Sequence, residues 1–431
     1  MVVDAGSPFH ERGRPARRRS DTFPAAMASA ILDRGNPSKT TRQPIHAFRR
    51  GACLSRLVLH IGSHKTGTTS IQQLLNGVGE QVAELTGLTY VPLQPGRHRA
   101  TSKPSDELEF QTEGARIRPE FVDRLGQLGT DCLVVEEEFS WIFKPQQINT
   151  TLDLLERLFD DIRIVVYVRR QDRHLVSHYQ QAARFNSAKF FRSRLTALPD
   201  YEPHHDRYLD YHARLAPYVE RLGLERVTLR VYERDLLKDR DVTSDFLALL
   251  GVERAHLPGR DDKHANVSTG KTATKIGHLY NEIPDRQLNS RILTNALPSD
   301  PKLMPARHEA RAIVERYQAS NIRLAELFEL DSPIFPDGFD EFGAKSNEAW
   351  TPDEVVAALA GLRRLTLLIG RQQGIEVGDS VLPKSVRALR RQAQQGQLPS
   401  ETSVNDRLRL VLARLNALAL GRPDWELARP D

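Results

Sequence analysis

The sequence predicts an α/β protein: a mostly parallel central sheet flanked by helices, followed by a helical C-terminal appendage. Two observations carry this. Short apolar runs of strand character recur between longer stretches of helical periodicity. One run passes without a gap into a Gly-rich turn and an amphipathic helix, Leu57-Val-Leu-His-Ile-Gly-Ser-His-Lys-Thr-Gly-Thr-Thr-Ser-Ile-Gln-Gln-Leu-Leu75. Strands are expected near 57–61, 88–91, 132–136, 162–168 and 226–231, with helices between most of them. Strands that alternate with helices pair in parallel and are covered on both faces.

In chain order, residues 1–55 come first, with ten Arg/Lys against four Asp/Glu; this arm holds a net +6 and leaves −1 for the rest, within a total of +5. Arg17-Arg-Arg19, several prolines and scant periodicity read as a disordered basic arm, solvated rather than bound to nucleic acid or an anionic surface, and dispensable for chemistry. A transit peptide and a true start at Met27 are the other readings of this arm. The α/β domain is expected over 56–340. Late in it, Arg307–Leu330 has a long helical pattern with Ile313, Tyr317, Leu324 and Leu327 among its apolar positions. Pro333, Pro336, Gly338 and Gly343 mark a linker, and Thr351-Pro-Asp-Glu354 opens a helix with a capping box and a proline at its first position. Residues 341–431 therefore read as a linker and a helical region that packs on the core or joins copies into a homo-oligomer. Leu408, Leu410, Leu412, Leu415, Leu418 and Leu420 are too unevenly spaced for a long coiled coil.

The turn after the first strand has the makings of a phosphate seat, because the first amides of a helix are unpaired and its dipole is positive there. Its spelling departs from the ATP- and GTP-type loop, which needs a lysine directly after the second glycine. Gly62 and Gly67 have the right separation, yet Thr68 stands where the lysine belongs, and Lys65 lies inside the loop. H-K-T-G-T-T after a strand resembles the donor-binding loop of sulfotransferases, in the form seen in carbohydrate and heparan-type enzymes and their bacterial relatives. A second segment extends the resemblance: Ile162-Arg-Ile-Val-Val-Tyr-Val168 precedes Arg169-Arg-Gln-Asp-Arg-His-Leu-Val-Ser177. In that family an arginine at a strand end and a serine eight residues later grip the 3′-phosphate of the donor, and Arg169 and Ser177 reproduce the spacing. Arg170 is the neighbouring alternative, since the family's frequent Asn-Pro is Arg170-Gln171 here. The likeness runs over roughly residues 56–340.

The resemblance implies a P-loop-like sulfotransferase fold and 3′-phosphoadenosine 5′-phosphosulfate (PAPS) as sulfate donor, with no metal required. Its donor contacts fall on His64, Lys65, Thr66, Gly67, Thr68, Thr69, Ser70, Arg169 and Ser177. The implied acceptor is a hydroxyl on a saccharide or glycoconjugate, met by loops such as Gln94–Thr112 and Phe185–Pro203. A transferring sulfuryl group carries less charge than a phosphoryl group, so a lysine can stabilise the leaving nucleotide, and Lys65 is the candidate. The family places a catalytic glutamate near the strand end represented here by Leu133-Val-Val-Glu-Glu-Glu-Phe139; Glu137 is favoured as general base, with Glu138 next. His64 is the rival base, as in small-molecule sulfotransferases, while His60, inside the strand, reads as a core histidine. His204-His205 lacks the further ligand that a metal site wants. Lys271, in Ser268-Thr-Gly-Lys-Thr272, is either part of a late loop over the donor or a surface lysine, and the family's Arg-Lys-Gly pattern is absent.

Composition sets the class. The chain has 431 residues and 39% hydrophobic content, ample for a core, and no apolar run approaches the ~20 residues of a spanning helix. With no secretory signal and only Cys53 and Cys132, read as reduced thiols, a cytoplasmic enzyme is expected. Two other functions fit the same residues. A kinase or NTPase would lack its loop lysine and a carboxylate at the strand end taken by Arg169, and a nucleotide-binding protein without turnover would need only the loop.

Overall fold

The computed structural model describes residues 55–93, 99–184, 195–258, 269–331, 333–378, 381–422 and 424–428. Strand β1 (Arg56–His60) leads through a loop into α1 (Thr68–Thr86), which Gly87 closes in the left-handed region (φ 75) by returning its N–H to the Ala83 carbonyl. Next come β2 (Thr89–Tyr90), β3 (Thr101–Ser102), α2 (Glu107–Glu113), β4 (Arg116–Ile117), α3 (Pro119–Leu128) and β5 (Cys132–Val135). A tight 3-10 turn, Glu137–Trp141, ends β5 and precedes α4 (Pro145–Leu155), β6 (Asp161–Val168) and α5 (Gln171–Ala182). The α/β part closes with α6 (Pro203–Leu209), α7 (Tyr211–Leu222), β7 (Val227–Val231) and α8 (Val242–Leu249). Helices follow: α9 (Lys271–Asn281), α10 (Ser290–Asn295), α11 (Arg307–Arg316), α12 (Gln318–Leu327), α13 (Pro352–Gln373), α14 (Lys384–Gln394) and α15 (Glu401–Ala419).

The sheet has the order β2-β5-β1-β6-β7, and every neighbouring pair is parallel. Leu57 stands opposite Cys132 on one side and Ile162 on the other. All five expected strands are present, each with ends within two residues of the expectation. Both faces are apolar, which is why these strands read as continuous hydrophobic runs rather than alternating ones. Leu57, Leu59, Val134, Ile164 and Val166 pack toward α4, α7 and α12, whereas Val58, Leu133, Val165 and Tyr167 pack toward α1 and α8. Each such side chain contributes about 1.5–3 kcal/mol on burial. Parallel pairing also gathers every strand's carboxyl end on one edge. The chain leaves β1 for β2 and β5 on one flank and then crosses to β6 and β7 on the other, so the reversal falls beside β1, where open α/β sheets form their ligand crevice.

Helices α13, α14 and α15 share one hydrophobic cluster with α9 and α10; Ile276, Leu279 and Leu293 meet Leu359, Leu362, Leu408 and Leu412 there. Two buried lysines of α9 bind across this contact. Lys271 Nζ lies 2.7 Å from Glu354 and 2.6 Å from the Ala349 carbonyl, and Lys275 Nζ lies 2.6 Å from Glu401 and 4.2 Å from the Trp350 ring centre. Lys271 thus serves as a structural anchor in the first turn of a helix. Thr351 and Glu354 form the expected capping box, with Pro352 at the first helical position. The single helix expected over Arg307–Leu330 is two helices instead. Tyr317 interrupts it at φ −101, where its ring is buried and its hydroxyl reaches Asp206 at 3.2 Å. Among the described residues no helix is long and apolar enough to cross a membrane. Residues 1–54, with Cys53, lie outside the described residues, whereas Cys132 is fully buried in the sheet.

Candidate functional site

The loop between β1 and α1 is held open by backbone geometry. Gly62 (φ 84), Lys65 (φ 62) and Gly67 (φ 86) all occupy the left-handed region. A Cβ at Gly62 would stand 2.8 Å from Glu137 Cα, and one at Gly67 would stand 2.7 Å from Val242 Cγ1, so both positions need glycine for space as well as for φ. The start of the loop is pinned: the Ser63 N–H donates to the Tyr167 carbonyl (2.9 Å), the His64 N–H to the Tyr208 hydroxyl (3.0 Å) and the Thr66 hydroxyl to the Ser63 carbonyl (2.6 Å). The next stretch is different. The N–H groups of Lys65, Thr66, Gly67, Thr68 and Thr69 make no hydrogen bond to a described residue, and those of Ser70 and Ile71 both return to the Gly67 carbonyl. No side chain caps α1 and its first turn holds no acid. The Ser63 and Thr68 hydroxyls are buried without a partner, while Thr69 is exposed and Ser70 half-buried. Successive free amides at the positive end of a long helix form a concave seat for an anion.

Cations converge on this seat. Burial, then Arg169, Arg184 and Lys302, push the Lys65 ammonium down to about 8 against the pull of Glu137. Arg169 leaves the end of β6 with its guanidinium 5.7 Å from the Tyr232 ring centre and no ion pair or hydrogen bond from that guanidinium to a described residue. Arg170 is fully committed: it is buried, pairs with Asp172 at 2.8 Å, donates to the carbonyls of Pro336 (3.1 Å) and Gly338 (2.5 Å) and stacks 4.3 Å from the Phe339 ring centre. Of the two neighbouring arginines, Arg169 is therefore the one free to meet a ligand. Ser177 lies on α5, half-buried, and its hydroxyl makes no hydrogen bond to a described residue.

The three glutamates after β5 face three environments, because the chain leaves the strand through a tight 3-10 turn. Glu136 accepts the Glu138 N–H at 3.0 Å, and burial with the charge of Glu137 pushes its pKa up to about 8. Glu137 lies under Gly62 and acts on Lys65, with its Oε2 buried and without a hydrogen-bond partner. Glu138 points to Lys103 Nζ at 2.5 Å and to His64 Nε2 at 3.8 Å; burial works to raise its pKa, but the interaction with His64 and the Lys103 ammonium outweigh it and hold it at about 2. His64 turns inward. Its Nδ1 lies 2.8 Å from the Tyr208 hydroxyl and 3.0 Å from Ser140 Oγ, and its ring stacks on His178 with 5.1 Å between centres. His60 is a core residue whose pKa burial lowers to about 3. Among the described residues no group of three or more His, Cys, Asp or Glu side chains is placed to hold a metal ion.

The structure thus brings Lys65, the amides of residues 65–69, Arg169 and Glu137 to one crevice, and it turns His64 and Glu138 toward each other beneath it. Sequence reasoning singled out the run that holds Glu136 without separating its three carboxylates, and it missed Lys103 and Tyr208 beside Glu138 and His64, and Arg184 and Lys302, whose charges reach Lys65. None of these last four belongs to a motif with fixed spacing. The segments expected to meet the acceptor lie partly outside the described residues.

No protein-family model matches the chain. An uncharacterized protein from Archaeoglobus fulgidus is 31% identical over 121 residues, or 28% of this chain; the chain spans only 30% of that relative's length. The crystal structure of a sulfotransferase from Alicyclobacillus acidocaldarius matches with a TM-score of 0.35 and 17% identity, covering 65% of this chain and 98% of that one. That score is too low for the likeness to bear on the chemistry of this chain.

Proposed function

We propose that the protein is a sulfotransferase that moves a sulfuryl group from PAPS to an acceptor hydroxyl, on a saccharide or glycoconjugate. The observation that supports this best is the setting of Lys65: a lysine inside a run of amides that bond no described residue, beside an arginine that ends the adjoining strand and pairs with no described residue. The residues fit a nucleotide with two separate anionic ends. The amides of 65–69 and Lys65 would hold the 5′ end, and Arg169 with Ser177 the 3′-phosphate.

When bound, PAPS supplies the sulfuryl group. Lys65 stabilises negative charge that develops on the leaving oxygen, and with a pKa of about 8 it is largely protonated at neutral pH. Glu137 accepts the proton of the acceptor hydroxyl as the new S–O bond forms and the bond to the nucleotide breaks. Its free Oε2 beside Lys65 favours it over Glu138, whose pairing with Lys103 and His64 leaves a weak base. The saccharide assignment rests on the motif resemblance.

Calorimetric titration with 3′-phosphoadenosine 5′-phosphate, beside ADP and ATP with magnesium, tests the reading. Selective binding of the first without magnesium is expected. Preference for ATP with magnesium, or no binding of any nucleotide, would overturn it.

A further inference from the structure

One cavity and one motif have no role in the reading above. The cavity is a groove of about 760 Å³ along α11 and α12, faced by residues 330–331 and 333–339. Its inner wall belongs to the α/β core, because Leu324, Phe328, Ile334 and Phe335 join the cluster under the sheet. One end rests on the start of α5, where the side chains of Asn321 and Gln171 exchange hydrogen bonds at 2.7 and 3.3 Å. Arg170, not Arg169, lines that end. The motif is Arg17-Arg-Arg19, in the arm that precedes β1.

The groove is apolar inside and acidic at its rim. Val314, Ile322, Ala325, Leu330, Pro333 and Pro336 line it, and Ile322 is 52% exposed. Glu315, Glu326, Asp331 and Asp337 stand among them, all exposed, and none of the four carboxylates makes a hydrogen bond or ion pair with a described residue. Only two cations oppose them. Arg170 is spent on Asp172, and Arg311 lies 5.4 Å from the Phe339 ring centre. Such a surface repels phosphate and sulfate and suits an extended, proline-containing peptide that carries several cations.

The chain itself holds such a peptide. Arg14-Pro-Ala-Arg-Arg-Arg-Ser-Asp-Thr-Phe-Pro24 has four arginines against one aspartate, with two prolines, Ala16 and Phe23 to meet apolar walls. Reach does not limit it. About thirty residues separate Pro24 from Ser55, up to about 100 Å of extended chain, whereas β6, eight residues long, spans about 26 Å. Ser55 is fixed at the amino edge of the sheet, its hydroxyl donating to the Leu158 carbonyl at 2.7 Å. We propose that the groove of α11 and α12 is the docking site of this chain's own basic arm, with the arginines of 14–19 on the four carboxylates and the prolines and Phe23 on the apolar walls. Neither Lys65 nor Arg169 enters this contact, so it stands whether or not the sulfotransferase reading does.

The test titrates a synthetic peptide of Arg14–Pro24 calorimetrically, at low salt, into two full-length chains: wild type and the triple variant Arg17→Ser, Arg18→Ser, Arg19→Ser. A tethered segment has an effective concentration on the order of 1 mM. The peptide binds the triple variant with a Kd of about 0.1 mM or tighter, and it binds wild type about tenfold more weakly, because the arm already fills the groove. Adding Glu326→Lys or Asp331→Lys to the triple variant weakens the peptide about tenfold. Both side chains are exposed, so these variants fold. No binding to the triple variant, equal binding to both chains, or binding that ignores Glu326→Lys and Asp331→Lys would overturn the proposal. Sedimentation gives a monomer for both chains; a dimer formed by wild type and not by the triple variant would seat the arm on a second copy and overturn the intrachain contact.

Discussion

Replacing Lys65 with methionine separates the demands of the site from those of the fold. Burial and the charges of Arg169 and Arg184 hold the ammonium at about 8 rather than 10.5. That displacement costs the charged form roughly 2–3 kcal/mol after residual solvent screening. Lys65→Met removes the charge, keeps the length and leaves the left-handed backbone (φ 62) with the same strain. The variant is therefore expected to be more stable than wild type by about 2–3 kcal/mol at pH 7 in urea unfolding. The sign follows from proton uptake: between pH 8 and 10.5 the unfolded lysine holds a proton that the folded one has lost, so wild-type stability rises with pH across this window. The gap between variant and wild type should shrink to about 1 kcal/mol near pH 9.5. Binding moves the other way. Loss of a charge-assisted contact worth about 1.5–3 kcal/mol weakens 3′-phosphoadenosine 5′-phosphate by about tenfold to a hundredfold. A variant no more stable than wild type at pH 7, or a gap that widens with pH, would refute the cation-crowding argument.

Three further outcomes can be checked. Gly67→Ala combines a left-handed residue (φ 86) with a Cβ 2.7 Å from Val242, and should lower stability by about 2–5 kcal/mol; an unchanged urea midpoint would mean that the loop relaxes freely. Arg170→Ala strands the fully buried Asp172 and should cost about 3–5 kcal/mol, whereas Arg169→Ala should change stability by less than about 1 kcal/mol and abolish the preference for 3′-phosphorylated over unphosphorylated adenosine 5′-phosphate. Survival of that preference in the Arg169 variant would disconnect the second motif from the 3′-phosphate. Burial holds His60 at about 3, and burial with the neighbouring His204 holds His205 at about 3. Each takes up a proton first in the unfolded chain, so the thermal midpoint should fall as pH drops from 6.5 toward 3; a flat profile would contradict neutral burial of these rings.

The parallel sheet was legible because Leu57–Ile61 and Ile164–Val168 are buried on both faces, so their runs lack the alternation of a half-exposed strand. The loop was legible because glycine is required at 62 and 67 for reasons of backbone geometry that a sequence displays directly. Other features depend on contacts that spacing does not encode. Arg169 and Arg170 are neighbours with the same chemistry, and only the carbonyls of Pro336 and Gly338, far along the chain, divide their roles. The glutamates 136–138 leave a strand through a 3-10 turn, so their directions depend on Gly62, Lys103 and His64 rather than on alternation. The segment of Lys302 is held by side chains from distant parts of the chain, Gln180 on the Leu303 carbonyl and Asn347 on the Lys302 carbonyl, and no motif surrounds it.

The lysine anchors of α9 bear on how this chain can be shortened or recombined. A cut at residue 340 would look natural from the linker, but it would strip Lys271 and Lys275 of Glu354 and Glu401 and leave the apolar side of α9 wet. The same helix receives the Pro301 carbonyl on the N–H of Lys271, one residue before Lys302. The last ninety or so residues are therefore not a module that can be exchanged or lost. Inheritance must keep them in step with the α/β part, because Asn347 holds the Lys302 carbonyl and Glu341 pairs with Arg173 on α5.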